Sequence, residues 1–292
     1  MNKSKTTEEI QIPDNYLAAL DIGSNSFHFV FARLHNNNVQ ILHTEKYRVK
    51  LADGLNDNDE LAQSAIARGV ATLSKLATTT SKLTQENFRV VATYTLRQAK
   101  NAQDFLAAAG KVFPFNIEII SGHEEARLIY QGVAHYSEPH LKQLVIDIGG
   151  GSTECVIGQE QKVFTLASLN MGCVSFGQKY FFDKNIQAKY FKKAFLAAKR
   201  EIESIVNRFK LRQWQLVTGT SGTIKSIHRI LNMDNNIAQP ITLKQLHSLK
   251  QQLIDFECID NIAIDVIGVA CRHTGIVGHD GASVGNGYPG CL

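Results

Sequence analysis

The sequence lacks any apolar run approaching the roughly 18 residues that a membrane-spanning helix needs. Residues 1–14 are polar and mixed in charge, without the apolar core of a signal peptide. Cysteine is sparse and scattered: Cys155, Cys173, Cys258, Cys271 and Cys291 are odd in number, widely spaced and free of any CxxC. That pattern argues against a disulfide framework or a structural zinc site and leaves buried thiols acting as small hydrophobes. Charge of one sign is barely in excess, 31 Lys plus Arg against 27 Asp plus Glu. An obligate nucleic-acid binder would concentrate more basic charge on one face. Neither a GxxxxGK[ST] loop nor a GxGxxG turn between a first strand and a helix occurs. A cytoplasmic enzyme with no nucleic-acid partner and no integral membrane segment is the expectation.

What is present is globular. Hydrophobic residues make up 44% and charged residues 20% of 292, which excludes a wholly disordered chain and leaves room for two domains. After a polar arm over 1–15, YLAALDIGSNSFHFVFARL reads as apolar strand, Asp21, glycine turn and second strand. A third strand follows Asn36, Asn37 and Asn38, so the start is rich in hairpins rather than a βαβ unit. Leu61, Ile66, Val70, Leu73 and Leu76 have helical spacing, with Asp57 and Asp59 as candidate caps. Further helices are predicted over 101–109, over 123–135 with Glu124 and Glu125 in the first turn, and over 186–209. The last carries Phe191, Phe195, Ile202 and Val206 as its apolar stripe, and Thr242 with Gln245 forms a capping box for another. The polar stretch 137–142 is the expected boundary between a first domain, 16–137, and a second, 138–274.

The opening device returns after that boundary. LVIDIGGGSTECVIG repeats apolar strand, Asp, glycine turn and apolar strand, so Asp147 matches Asp21 and a duplicated fold is expected. Consecutive glycines let backbone N–H groups converge on an anion, and Ser152 and Thr153 add hydroxyl donors. TGTSGT at 218–223 is a third such loop, running into a helix N-terminus. Three loops of this kind, two of them led by Asp, favour a phosphate site over ordinary hairpins. Two carboxylates beside phosphate call for a divalent cation, Mg²⁺, bound through few carboxylates plus substrate and water. Glu124 or Glu125 is the candidate to deprotonate a water, although each is also an ordinary first-turn carboxylate. Arg97 also reads as a solvated residue, Lys225 reads as a surface helix residue more than as a ligand contact, and no base pairs with Cys155 or Cys173.

ALDIGSNSFHFVFARL, YRVKLADGL, VVATYTLRQAKNAQDF, IEIISGHEEARLIYQGVAH, LVIDIGGGSTECVIG, SLNMGCVSFG and TGTSGTIKS together resemble the exopolyphosphatase / guanosine pentaphosphate phosphohydrolase family, within the actin-like superfamily. The resemblance implies an α/β fold of two actin-like (ribonuclease H-like) domains with a cleft between them. It implies Glu125 as catalytic base, Asp21, Asp147 and Glu154 at metal or phosphate, and Arg97 on phosphate. Ser24, Asn25, Ser26, Gly149, Gly150, Gly151 and Ser152 would cradle phosphates, with Gly219, Ser221 and Gly222 in the third loop. The implied reaction is Mg²⁺-dependent release of orthophosphate from inorganic polyphosphate, with guanosine pentaphosphate as the competing substrate. A sugar kinase or actin-like ATPase is disfavoured, because SGHEEARLIYQGV puts a water-activating Glu where a kinase must exclude water.

The ending departs from the family. DVIGVACRHTGIVGHDGASVGNGYPGCL replaces the expected later segments and reads as a frameshifted or prematurely stopped product. The expectation is a second domain truncated at its C-terminus, a Gly-rich tail over 275–292, a weakened homodimer, and, as a further alternative, an inactive fragment.

Overall fold

The computed structural model describes residues 13, 15–36, 38–138, 140–232 and 239–262. Alternation sets the first strand: in β1 (Tyr16–Ile22), Ala18, Leu20 and Ile22 are buried while Leu17, Ala19 and Asp21 are exposed. β2 (Phe27–His35) and β3 (Asn38–Tyr47) continue antiparallel, as the hairpin-rich start requires. α1 (Gln63–Thr79) buries Ala65, Ile66, Leu73 and Leu76 and carries the chain across to β4 (Phe88–Ala92), parallel to β1. α2 (Tyr94–Gln98) and α3 (Ala102–Ala109) lead to β5 (Ile117–Ile119), giving the sheet order β3-β2-β1-β4-β5. One core joins Leu20, Phe27, Leu73 and Phe105 beneath this sheet. Neither Asp57 nor Asp59 caps α1; its N-cap is Ala62, without a side-chain bond, because two residues separate the acidic turn from the helix.

The chain divides after Ser121 into two compact units. α4 (Gly122–Ala134) stands ahead of the polar stretch 137–142, yet it packs in the second unit. Its Ala126, Tyr130 and Ala134 lie against Val145 and Val156. β6 (Gln143–Ile148), β7 (Thr153–Gln159) and β8 (Lys162–Leu169) form an antiparallel meander, and β9 (Leu216–Thr220) joins parallel to β6. The order β8-β7-β6-β9 repeats β3-β2-β1-β4, which establishes the duplication that the two Asp-Gly motifs predicted.

α5 (Cys173–Tyr180) and α6 (Ala188–Lys210) lie on the face of the second sheet opposite α4. The predicted stripe of α6 is rotated: Ile205 and Phe209 are buried, whereas Phe195 is 70% exposed and Ile202 is exposed as well. For Ile202 the reason is a cavity of about 600 Å³, opening between α5, α6 and the sheet and lined also by Leu144, Ile146, Phe176 and Trp214. The matching face of the first sheet, Ala18, Leu20 and Ile22, shares one core with both α1 and α3. After β9 come α7 (Ser221–Leu231) and α8 (Leu243–Asp255), the latter with the expected Thr242–Gln245 capping box. Among the described residues, no helix is long and apolar enough to cross a membrane. The expected tail over 275–292 lies outside the described residues, as do Cys271 and Cys291.

Candidate active site

Two hairpin loops are built alike. The Gly23 N–H donates to the Ser26 carbonyl at 3.2 Å, and the Gly149 N–H to the Ser152 carbonyl at 2.9 Å. A Cβ on Gly23 would stand 2.9 Å from that carbonyl oxygen, which is why glycine closes the turn. Each loop is also held from behind by the segment following its third strand. Ala52 and Lys50 donate backbone N–H groups to the carbonyls of Ser24 and Asn25, at 2.9 and 2.8 Å. Cys173 and Val174 donate likewise to Gly149 and Gly150, at 3.0 and 2.8 Å. A trans peptide points its N–H opposite to its own carbonyl. The amides of Asn25 and Ser26, and those of Gly150 and Gly151, therefore face away from their supports as successive donors, an arrangement suited to an anion.

In the first unit, Asp21 ends β1 with an exposed side chain, and Ser24 is buried, accepting a bond from Thr95 Oγ1 at 2.9 Å. Arg97 is half-buried on α2 and donates through Nη1 to the Ile120 carbonyl at 2.9 Å. That bond fixes a side chain which the sequence left open as merely solvated.

In the second unit the candidate residues converge. Asp147 and Glu154 stand directly opposite each other on β6 and β7, the register that pairs Asp21 with His28 in the first copy. Glu154 is 1% exposed and accepts from Ser168 Oγ at 2.8 Å. Burial, then the charge of Glu125, and more weakly that of Asp147, push its carboxyl up to about 8. Burial also raises Asp147, opposed by a hydrogen bond from Thr220 Oγ1 and by the charge of Lys225. The first turn of α4 separates its two glutamates. Glu124 forms a two-point ion pair with Arg127 at 2.6 and 2.7 Å, whereas Glu125 is the one whose charge reaches Glu154. From β9, Ser221 Oγ donates to the Ile148 carbonyl at 2.8 Å, bringing the Gly219–Gly222 segment to the same sheet end as Asp147.

Thr220 and Ser168 are the residues that sequence reasoning passed over, and Lys225 is one that it weighed as a surface residue. Thr220 lay inside a motif already singled out, but Ser168 becomes visible only through strand register. Among the described residues, no three of His, Cys, Asp and Glu stand together as a ready-made metal cage. Asp147 and Glu154 nevertheless offer only oxygen, the donor type that Mg²⁺ takes, and their crowding of negative charge is what a dication would relieve.

The model of the Ppx/GppA phosphatase family matches residues 30–269. The chain belongs to the Ppx/GppA phosphatase family. A candidate exopolyphosphatase of Haemophilus influenzae is 44% identical over 240 residues, covering 82% of this chain and 74% of that protein. A guanosine-5'-triphosphate,3'-diphosphate pyrophosphatase of Pseudoalteromonas atlantica is 42% identical over 253 residues, 87% of this chain. This Ppx/GppA chain spans only 50% of that protein's length. Among solved structures, an exopolyphosphatase from Cytophaga hutchinsonii superposes with a TM-score of 0.71 at 21% identity, covering 89% of each chain. The Aquifex aeolicus Ppx/GppA enzyme gives 0.66 at 23%, covering 89% of this chain and 91% of that one. These likenesses establish the two-domain actin-like fold that the family resemblance implied.

Proposed function

We propose that this chain hydrolyses the terminal phosphoanhydride of inorganic polyphosphate and releases orthophosphate. The observation that carries the reading is the gathering of Glu125, Glu154 and Asp147 beside a loop of outward-facing backbone amides. Amides of Gly150 and Gly151, with the Ser152 hydroxyl, bind the oxygens of the terminal phosphate. Gly219, Ser221 and Gly222 contribute at the start of α7. On the first unit, the Asn25 and Ser26 amides beside buried Ser24, together with Arg97, form the corresponding phosphate-binding group.

Glu125 takes the proton of the attacking water as its oxygen bonds to the terminal phosphorus. The bond to the bridging oxygen breaks, and the shortened polyphosphate leaves on that oxygen. Negative carboxylates alone would repel such a substrate, so Asp147 and Glu154 are assigned to hold Mg²⁺, with Asp21 as the corresponding carboxylate of the first unit. The ion would neutralise charge on the transferring group.

Guanosine pentaphosphate is the second reading, favoured by the 42% identity to the Pseudoalteromonas pyrophosphatase. The experiment is orthophosphate release with Mg²⁺ from long-chain polyphosphate and from guanosine pentaphosphate, side by side, with Glu125→Gln as the blank. Release from polyphosphate, absent in the variant, supports the reading. Release from guanosine pentaphosphate alone transfers it to the second substrate. Folded protein that releases phosphate from neither sinks both.

A further inference from the structure

The start of α7 is tied closely to the Asp147 end of β6. Thr220 and Ser221 each donate a hydroxyl across to β6, one to the Asp147 carboxylate and the other to the Ile148 carbonyl. Ser221 takes a φ of 76°, a left-handed backbone that a non-glycine residue adopts only where its surroundings hold it there. A Cβ on Gly219 would meet Ile224 Cγ2 at 2.7 Å, so the first turn of α7 lies directly over β9.

Lys225 follows Ile224 on this clamped turn. Its side chain is exposed, and among the described residues no carboxylate lies within ion-pair distance of it. It stands one helical turn beyond Ser221 and on the same face of α7, and the Ser221 hydroxyl meets β6 beside Asp147. Lysines such as Lys184 and Lys199 carry a carboxylate neighbour at 3.3 and 4.0 Å, so much of their charge is already spoken for. Lys225 therefore presents an ammonium near the Asp147 end of β6 while forming no ion pair among the described residues. A polyanionic substrate approaching the Asp147 and Glu154 carboxylates meets repulsion, and a cation at the Asp147 end of β6 opposes it. Lysine suits the task as a compact charge on a long flexible stem, able to follow a phosphate oxygen.

We propose that the Lys225 ammonium contacts the terminal phosphate of the substrate at the Asp147 end of the second sheet, and so acts in substrate binding. The assignment rests on the phosphoanhydride-hydrolase reading above. It adds a residue whose helix position by itself suggests only a solvated side chain.

The test uses the full chain, with Lys225→Met, Lys225→Arg and, as a remote charge control, Lys199→Met. Thermal melting confirms that each variant is folded. Two quantities are read: KM and kcat for phosphate release, and the Kd of tripolyphosphate by titration calorimetry. Lys225→Met is expected to raise KM and Kd by about tenfold or more, with a smaller change in kcat. Lys225→Arg should recover most of that loss, and Lys199→Met should match the parent. Values for Lys225→Met within twofold of the parent, or equal weakening in Lys199→Met, would overturn the contact. Parent protein that binds tripolyphosphate without releasing phosphate would sink the hydrolase reading alone. The Lys225 comparison would then stand on Kd. Parent protein that binds no tripolyphosphate overturns both.

Discussion

Glu154 faces Asp147 across the β6–β7 pair, and its carboxyl is 1% exposed with Ser168 as its hydroxyl donor. In the matching place of the first copy stands His28, opposite Asp21. The duplication thus keeps the aspartate and changes its partner, which gives the second unit a close pair of acids where the first has an acid and an imidazole.

That pair has a stability consequence. Glu154 binds its proton more tightly folded than unfolded, since its carboxyl stands at about 8 rather than 4.5. The stabilising contribution is full below pH 4.5 and is lost as pH rises through 8. Glu154→Gln removes this loss, so in EDTA its melting temperature should exceed the parent's by several degrees at pH 9 and by little at pH 5. Melting curves across that range check it, and a constant difference at every pH would contradict the burial-driven shift.

Thr220→Val deletes the hydroxyl that Asp147 accepts while keeping shape and β-propensity. Phosphate release should fall by about tenfold, the scale of one charge-assisted hydrogen bond. Thr220→Ser should retain most of it. The comparison is of kcat at saturating Mg²⁺, with melting temperature as the check on folding.

Cys155 is held as a neutral thiol, its proton loss pushed up to about 12 by burial and then by the neighbouring Glu154 charge. Cys173 is exposed. Iodoacetamide at pH 8 should therefore modify the Cys173 peptide well before the Cys155 peptide, as followed by mass spectrometry. Cys155→Ser should leave phosphate release largely intact.

Gly158→Ala tests how α4 sits on its sheet. The added Cβ would lie 2.3 Å from Tyr130 Cζ and 2.6 Å from the Lys162 carbonyl oxygen. Tyr130 is fully buried and bonded to the Glu160 carbonyl at 3.1 Å, so the ring has nowhere to retreat. A loss of about 1–3 kcal/mol is expected in urea unfolding. Activity should fall too, because α4 carries Glu125.

The alternation of Leu17 to Ile22, the helical spacing of Leu73 and Leu76, and the Thr242–Gln245 capping box are local features, and periodicity and capping chemistry report them directly. The recurrence of Asp-Ile-Gly pointed to a duplicated fold, and the sheet orders bear it out. The α6 stripe went astray at Ile202 because its exposure depends on what covers one sheet face, and there the neighbouring space is a cavity.

By itself the sequence determined the hairpins, the glycine turns and the residue types that can meet phosphate, because each rests on a handful of neighbouring residues. Only the tertiary structure decided that Glu124 pairs with Arg127 while the charge of Glu125 reaches Glu154, since helix rotation sets that choice. It alone brought Ser168 and Thr220 to the acid pair, from residues 14 and 73 positions distant in the chain. Such meetings follow from strand register and from the parallel return of β9 beside β6, which no local pattern encodes.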